Sequence, residues 1–310
     1  MHIKYTGTQK IRLDVFLSQQ LKQDFSRVEI QNLIKNSAVK VDNTIITKPS
    51  FLIANGNAVD IFLDEIIHLK NEAKNIKPMQ MQINIVFENE NLLIIDKPVG
   101  LVVHPGAGTK NNTLMNGLMA LQESGVITLS NVRGDERLGI VHRLDKDTCG
   151  LMIIAKNNKE HRLLSEMLKT HEIDRRYLAL IHGVPVPPVG KIENYICRDK
   201  KYIQKMKLCS AYDDSAKNAI TNYKVIKVLQ DSKISLIECK LETGRTHQIR
   251  LHMQSIKHPL VGEQIYTNSN FRNDDTKKGY THQMLQSYKL NFNDPMNGEK
   301  IFVELPNVLC

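Results

Sequence analysis

A polar stretch at residues 65–80, E-I-I-H-L-K-N-E-A-K-N-I-K-P-M-Q, divides this chain into two segments whose hydrophobic patterns have different periods. Before it, Leu13, Phe16, Leu17 and Leu21 recur at helical spacing, and Ile30, Leu33 and Ile34 do so again. After it, apolar residues come in runs of strand length: I-N-I-V-F, L-L-I-I-D, L-M-I-I-A, Y-L-A-L-I and I-S-L-I-E-C-K-L-E. At 310 residues the chain is also too long for one ordinary compact core. Two domains are therefore expected, a small one over residues 1–75 with its core at about 11–64 and a linker running to about 80, then a larger one over 81–310.

In the small segment, Ser26 and Glu29 form an S-x-x-E capping pattern ahead of Ile30, which places the start of a second helix there. Val39-Lys40-Val41 followed by Asn43 reads as a strand entering a tight turn. Arg12, Arg27, Lys35 and Lys40 fall on the polar side, so a basic helical face backed by a hairpin is expected. In the larger segment, Leu163, Leu164, Met167 and Leu168 mark an amphipathic helix, and another is expected after Thr243-Gly244 with Thr246 as its N-cap. Strands dominate and helices intervene irregularly, which favours α+β over a doubly wound sheet.

Hydrophobic residues make up 41% and charged residues 24% of the chain, as in folded globular proteins, so disorder is excluded. No run approaches 18 apolar residues and the start, Met-His-Ile-Lys-Tyr-Thr, is neither a secretory signal nor an Arg-rich transit peptide; a cytoplasmic protein with no membrane contact is expected. The net charge of +9 suits a polyanionic partner. Five cysteines at 149, 197, 209, 239 and 310 are odd in number and widely spaced, so reduced thiols are expected and no zinc site. With no Trp, any base stacking falls to Tyr, Phe, His or Arg.

Chemistry concentrates at residues 139–156, G-I-V-H-R-L-D-K-D-T-C-G-L-M-I-I-A-K, where five ionisable side chains sit in six positions between two apolar pieces. Loops anchored at both ends in buried strands often carry active sites. Pro105 to Lys110 lacks the spacing of a phosphate-binding loop, and no H-E-x-x-H occurs, so a nucleotide hydrolase and a zinc hydrolase are disfavoured.

H-R-L-D-K-D-T-C-G-L-M-I-I-A-K resembles the catalytic motif of the RluA-type pseudouridine synthases of large-subunit ribosomal RNA. I-I-D-K-P-V-G-L-V-V-H-P-G-A-G at 94–108, R-R-Y-L-A-L at 175–180, L-E-T-G-R-T-H-Q-I-R-L-H-M at 241–253 and the following H-P-L-V-G agree with it in order, and H-P-G-A-G points to the RluD-like subgroup. The amino-terminal segment resembles the αL RNA-binding domain of the ribosomal-protein-S-four type. The chain departs from the pattern at Cys149, where Ser is usual, and at Ser37, where Gly is usual.

The resemblance implies a mixed, largely antiparallel catalytic sheet and an isomerase of uridines in ribosomal RNA, acting as a monomer without metal or cofactor. It implies Asp145 as the nucleophile, Arg250 as the cation that keeps it ionised, and Tyr177 as a stacking residue whose hydroxyl assists proton removal. Arg143 would enter the stack vacated by a flipped nucleotide, and Ile249 would complete an apolar wall. His142, Arg245 and His247 are further substrate-binding candidates, and Arg198 and Lys205, within a cluster that includes Lys200, Lys201 and Lys207, candidates for phosphate contact. An RluC-type or transfer-RNA synthase, or a non-catalytic ribosome assembly factor, remain the competing readings. The role of the segment after about 266 is left open.

Overall fold

A computed structural model describes residues 2–21, 27–35, 37–62, 76–106, 109, 111–132, 137–202, 205–229 and 233–306. The chain forms two compact units, Met1–Asn75 and Ile76–Cys310. Residues 76–80 are held on the second: Met79 donates its backbone N–H to the Asn116 carbonyl, and Asn116 Nδ2 donates to the Lys77 carbonyl at 2.7 Å.

In the first unit, β1 (His2–Lys4), β3 (Val39–Val41), β4 (Thr44–Ile45) and β6 (Ala58–Ile61) form one sheet, while β2 (Ile11–Arg12) pairs with β5 (Leu52–Ile53). Helices α1 (Leu13–Gln20) and α2 (Arg27–Lys35) close its core. The stripe at Leu13, Phe16, Leu17 and Leu21 is buried together with Ile30, Leu33 and Ile34. Asp42 and Asn43 both have positive φ and join β3 to β4 through a turn whose twist matches a hairpin.

The expected basic helical face is redistributed. Arg12 lies on β2 and Lys40 on β3, because the short strands take up the residues flanking the helices. Arg12 donates to both carboxylate oxygens of the buried Asp14, at 2.9 and 3.0 Å, and Lys40 sits 4.8 Å from the centre of the Phe62 ring. Lys35 is exposed on α2. Ser26, the side chain of Arg27, most of the linker at 65–80, and Ala107, Gly108 and Lys110 lie outside the described residues.

The second unit is built on a ten-stranded sheet. Its order is β12 (Met206–Cys209), β11 (Val189–Arg198), β13 (Lys217–Leu229), β14 (Ile234–Leu241), β10 (Asp174–His182), β15 (Leu285–Asn293), β9 (Cys149–Ala155), β8 (Leu92–Lys97) and β7 (Asn84–Glu88), with β16 (Lys300–Glu304) beside β15. All pairings are antiparallel except β15 with β9. The expected mixed, largely antiparallel α+β unit is what forms. The parallel junction requires Gly150, whose φ is +104°; a Cβ there would overlap the Ser287 carbonyl. Cys197, Cys209 and Cys239 are free thiols as expected, but Cys149, at the start of β9, is disulfide-bonded.

Helices α3 (Leu114–Glu123), α4 (Asn158–Thr170), α5 (Gln248–Ser255) and α6 (Ser269–Lys277) complete this unit. Strands β8 and β9 are almost wholly buried along their length, as expected for the middle of a sheet covered on both faces. Helix α5 does not start on Thr246. Its N-cap is His247, in the left-handed conformation at φ 57°, with no side-chain cap.

Candidate active site

Strand β9 ends the charged loop, strand β10 brings Tyr177, and helix α5 brings Arg250; these three elements surround a cavity of about 440 Å³. Its lining includes His142, Arg143, Asp145, Tyr177, Arg245, His247, Ile249 and Arg250, with Asp145 and Arg250 105 positions apart in the chain. Among the described residues Asp145 is the only carboxylate on this lining, against Arg143, Lys169, Arg175, Arg245 and Arg250. A polyanion therefore meets a positive wall with one negative point.

Asp145 keeps about 17% side-chain exposure, so its carboxylate faces the cavity. Arg250 Nη1 donates to Asp145 Oδ2 at 3.3 Å. The rest of that guanidinium is engaged by Glu263, with Nε donating to Oε2 and Nη2 to Oε1, both at 2.7 Å. Such paired geometry fixes the guanidinium plane and leaves one edge for Asp145. Burial alone would push the Glu263 carboxyl up, but the hydrogen bonds and charge of Arg250 hold it below its ordinary range. Burial likewise disfavours the Arg250 charge, and Glu263 with Asp145 more than restores it.

Tyr266 covers the same group, its ring centre 5.2 Å from the guanidinium carbon. The Tyr266 hydroxyl accepts from the Met206 N–H and lies 2.6 Å from His247 Nδ1. Burial lowers the His247 pKa despite Asp145, so the ring is neutral. With Nδ1 accepting from Tyr266, the ring proton belongs on Nε2, which points at Asp145 Oδ2 from 3.8 Å. Asp145 thus faces an arginine and a neutral N–H.

The loop before α5 is held by Gln248. Its Oε1 accepts from Thr243 Oγ1 and the Arg245 N–H, and its Nε2 donates to the Ile220 carbonyl and Thr221 Oγ1. This is why the turn at His247 tolerates a left-handed residue: the bonds around it are already fixed. Arg245 Nε donates to the Asn218 carbonyl, which holds its stem along β13.

Lys97, at the end of β8, is fully buried. Its Nζ donates to the carbonyls of Pro98, Leu101 and Lys146 at 2.7, 3.0 and 3.0 Å, and Gly100 N–H also donates to the Lys146 carbonyl. One ammonium therefore ties two loops together just beyond Asp145. Burial brings its pKa down to about 8 against the opposing fields of Asp147, Asp145 and Asp96.

Tyr177 is buried on β10 between Cys239 of β14 and Ser287 of β15. Burial raises its pKa, so the phenol keeps its proton. His142 accepts from the Ile153 N–H through Nε2, and burial together with the Arg175 charge lowers its pKa to about 3. It is a neutral wall residue. Arg143 is exposed at the cavity mouth, while Ile249 is buried in its wall.

Two expected RNA-contacting residues lie apart from the cavity. Arg198 ends β11 and is exposed, and Lys205 packs beside Tyr202, its Nζ 5.1 Å from the ring centre, in the β11–β12 hairpin at the sheet edge. Sequence reasoning missed Lys97, Glu263 and Tyr266. Glu263 directly follows H-P-L-V-G and Tyr266 comes three residues later, and a charged residue abutting that motif was the available signal. Among the described residues no cluster of three or more His, Cys, Asp or Glu could hold a metal ion.

The family model described as RNA pseudouridylate synthase matches residues 91–255, and the S4 domain model matches residues 11–59. An uncharacterised RNA pseudouridine synthase of Aquifex aeolicus is 36% identical, over 98% of this chain and 92% of its own. The uncharacterised RNA pseudouridine synthase YlyB of Bacillus subtilis is 37% identical over 95% of this chain and 90% of its own. Ribosomal large subunit pseudouridine synthase D of Zymomonas mobilis is 38% identical over 94% and 88%. The solved human RNA pseudouridylate synthase domain containing 1 has the same fold, with a TM-score of 0.56 at 22% identity over 73% of this chain and 84% of the other.

Proposed function

The chain belongs to the RNA pseudouridylate synthase family, and we propose that it isomerises specific uridines of large-subunit ribosomal RNA with Asp145 as the nucleophile. The observation that carries the reading is the Asp145 carboxylate facing a positively lined cavity, 3.3 Å from an arginine that Glu263 holds in plane. The relative from Zymomonas mobilis carries the large-subunit name, and the S4 domain supplies a second RNA-binding unit. As an enzyme of ribosomal RNA it works in the cytoplasm.

In the reaction the bond from ribose carbon 1 to uracil N1 breaks, the base turns, and a bond forms from the same carbon to uracil carbon 5. A proton leaves carbon 5 and one is taken up at N1, so nothing is consumed. Asp145 attacks the flipped uridine to give the covalent intermediate that lets the base turn. Arg250 orients the attacking carboxylate and opposes its charge from 3.3 Å. Tyr177, neutral, offers its ring to the uracil face. Arg143, at the mouth, fills the gap that the flipped nucleotide leaves. Extrusion costs about a few kcal/mol, which contacts at the positive wall offset.

Asp145→Asn in the purified protein is expected to abolish pseudouridine formation in large-subunit RNA while RNA affinity stays within about tenfold, a difference near 1.4 kcal/mol. Retained turnover would refute the nucleophile assignment.

A further inference from the structure

Two consecutive arginines on β10 have opposite surroundings. Arg176 pairs with Asp174 at 3.1 Å and with Glu238 at 3.1 Å. Arg175, on the other face with Tyr177, is only 6% exposed, yet its Nε has no hydrogen-bond partner and no carboxylate pairs with it among the described residues. A buried guanidinium without a counter-ion is costly, and native structures rarely keep one unless something else supplies the acceptor.

Arg175 lines the cavity that contains Asp145 and Tyr177. Its ionisable neighbour His142 is neutral and offers no compensating charge, and the cavity's one carboxylate is engaged by Arg250. Lys169, also on the lining, is paired with Glu166. Arg175 is thus the buried cation of this wall whose charge nothing among the described residues meets. Across from it stands Gly244, where even a methyl group would come within 2.9 Å of Arg175 Nη1. The loop has been left bare against the guanidinium, which keeps its terminal nitrogens in place and room beside them.

We propose that Arg175 binds one of the two phosphodiesters flanking the flipped uridine, and so sets the depth at which the nucleotide seats over Asp145. The fork geometry of a guanidinium suits two phosphate oxygens, and such a contact positions the backbone without reading the base. The assignment rests on the isomerase reading above, since the anion it names is that of the RNA substrate.

The test uses a synthetic large-subunit stem-loop carrying the target uridine, made with an uncharged methylphosphonate at the phosphate on either side. In the wild-type protein one of the two substitutions is expected to weaken RNA binding about ten- to hundredfold. Arg175→Gln is expected to show a similar loss with unmodified RNA, no further loss with that methylphosphonate, and a salt slope shallower by about 0.7. Arg175→Lys should recover part of the affinity. Gly244→Ala, whose methyl group would press on Arg175 Nη1 and displace it, should shift affinity in the same direction.

If neither methylphosphonate affects the wild type, or if its penalty persists undiminished in Arg175→Gln, the proposal is overturned and Arg175 acts only on the protein interior. A wild type that shows the penalty but isomerises no uridine would instead overturn the catalytic reading and leave the phosphate site standing.

Discussion

Arg250 is the side chain on which the site's electrostatics turn, because it serves two carboxylates unequally. Glu263 takes two short, well-aligned bonds and Asp145 one longer bond. A fully paired Asp145 would be a poor nucleophile, because strong hydrogen bonds tie up its lone pairs. Sharing the guanidinium gives an intermediate state, with the N–H of His247 as a second, weaker partner. Elsewhere, Glu160 is buried with both carboxylate oxygens unpartnered, and burial with the charge of Asp294 raises its pKa to about 7. Its ordinary value is 4.5, so between about pH 4.5 and 7 the folded state holds a proton that the unfolded state releases. Its contribution is complete below that window and is lost as pH rises through 7. Glu160→Gln is therefore expected to raise stability by about 1–3 kcal/mol at pH 8 and to change it little at pH 5, by denaturant unfolding at both values. An equal effect at the two pH values would contradict the assignment.

Short elements explain what the sequence did and did not disclose. At Ser37 the chain turns from α2 toward β3 with φ at +64°, a position where a side chain costs roughly 1 kcal/mol. Ser37→Gly is expected to stabilise the first unit by up to about 1 kcal/mol, read as a higher melting temperature; a fall would show that the serine side chain holds the turn. The strands at β8, β9, β10 and β14 were legible because continuous apolar runs bounded by charge have few alternative conformations. The start of α5 was not, since Thr246 looks like a cap and the bonds of Gln248, fixed by residues far away on β13, decide otherwise. Nor was β15. Its sequence, L-Q-S-Y-K-L-N-F-N, lies in the segment after about 266 whose role the sequence left open, yet it pairs with both β9 and β10 and sets Ser287 beside Tyr177. Sheet order is a long-range property that local pattern does not carry.

At the scale of the molecule, two units with separate cores share one chain, and the motifs that line the candidate cavity all belong to the second. Asp145, Tyr177 and Arg250 could be named from the sequence because their motifs are local strings; Lys97, Glu263 and Tyr266 could not, because their roles depend on neighbours in space alone. In the proposed reading Lys35, Lys40 and Arg12 of the first unit would meet RNA phosphates, and the Arg12 charge is already partly met by Asp14. Deleting residues 1–75 is expected to weaken RNA binding and flatten its salt dependence, because each lost phosphate contact removes about 0.7–0.9 from the slope of log affinity against log salt. An unchanged slope would assign that unit another task. The proposed isomerisation is tested most directly by mapping pseudouridines in ribosomal RNA from cells that lack this protein and cells that carry only Asp145→Asn. The expected result is the same uridines of large-subunit RNA left unmodified in both and restored by the wild-type chain; a full set of pseudouridines in the Asp145→Asn cells would contradict it.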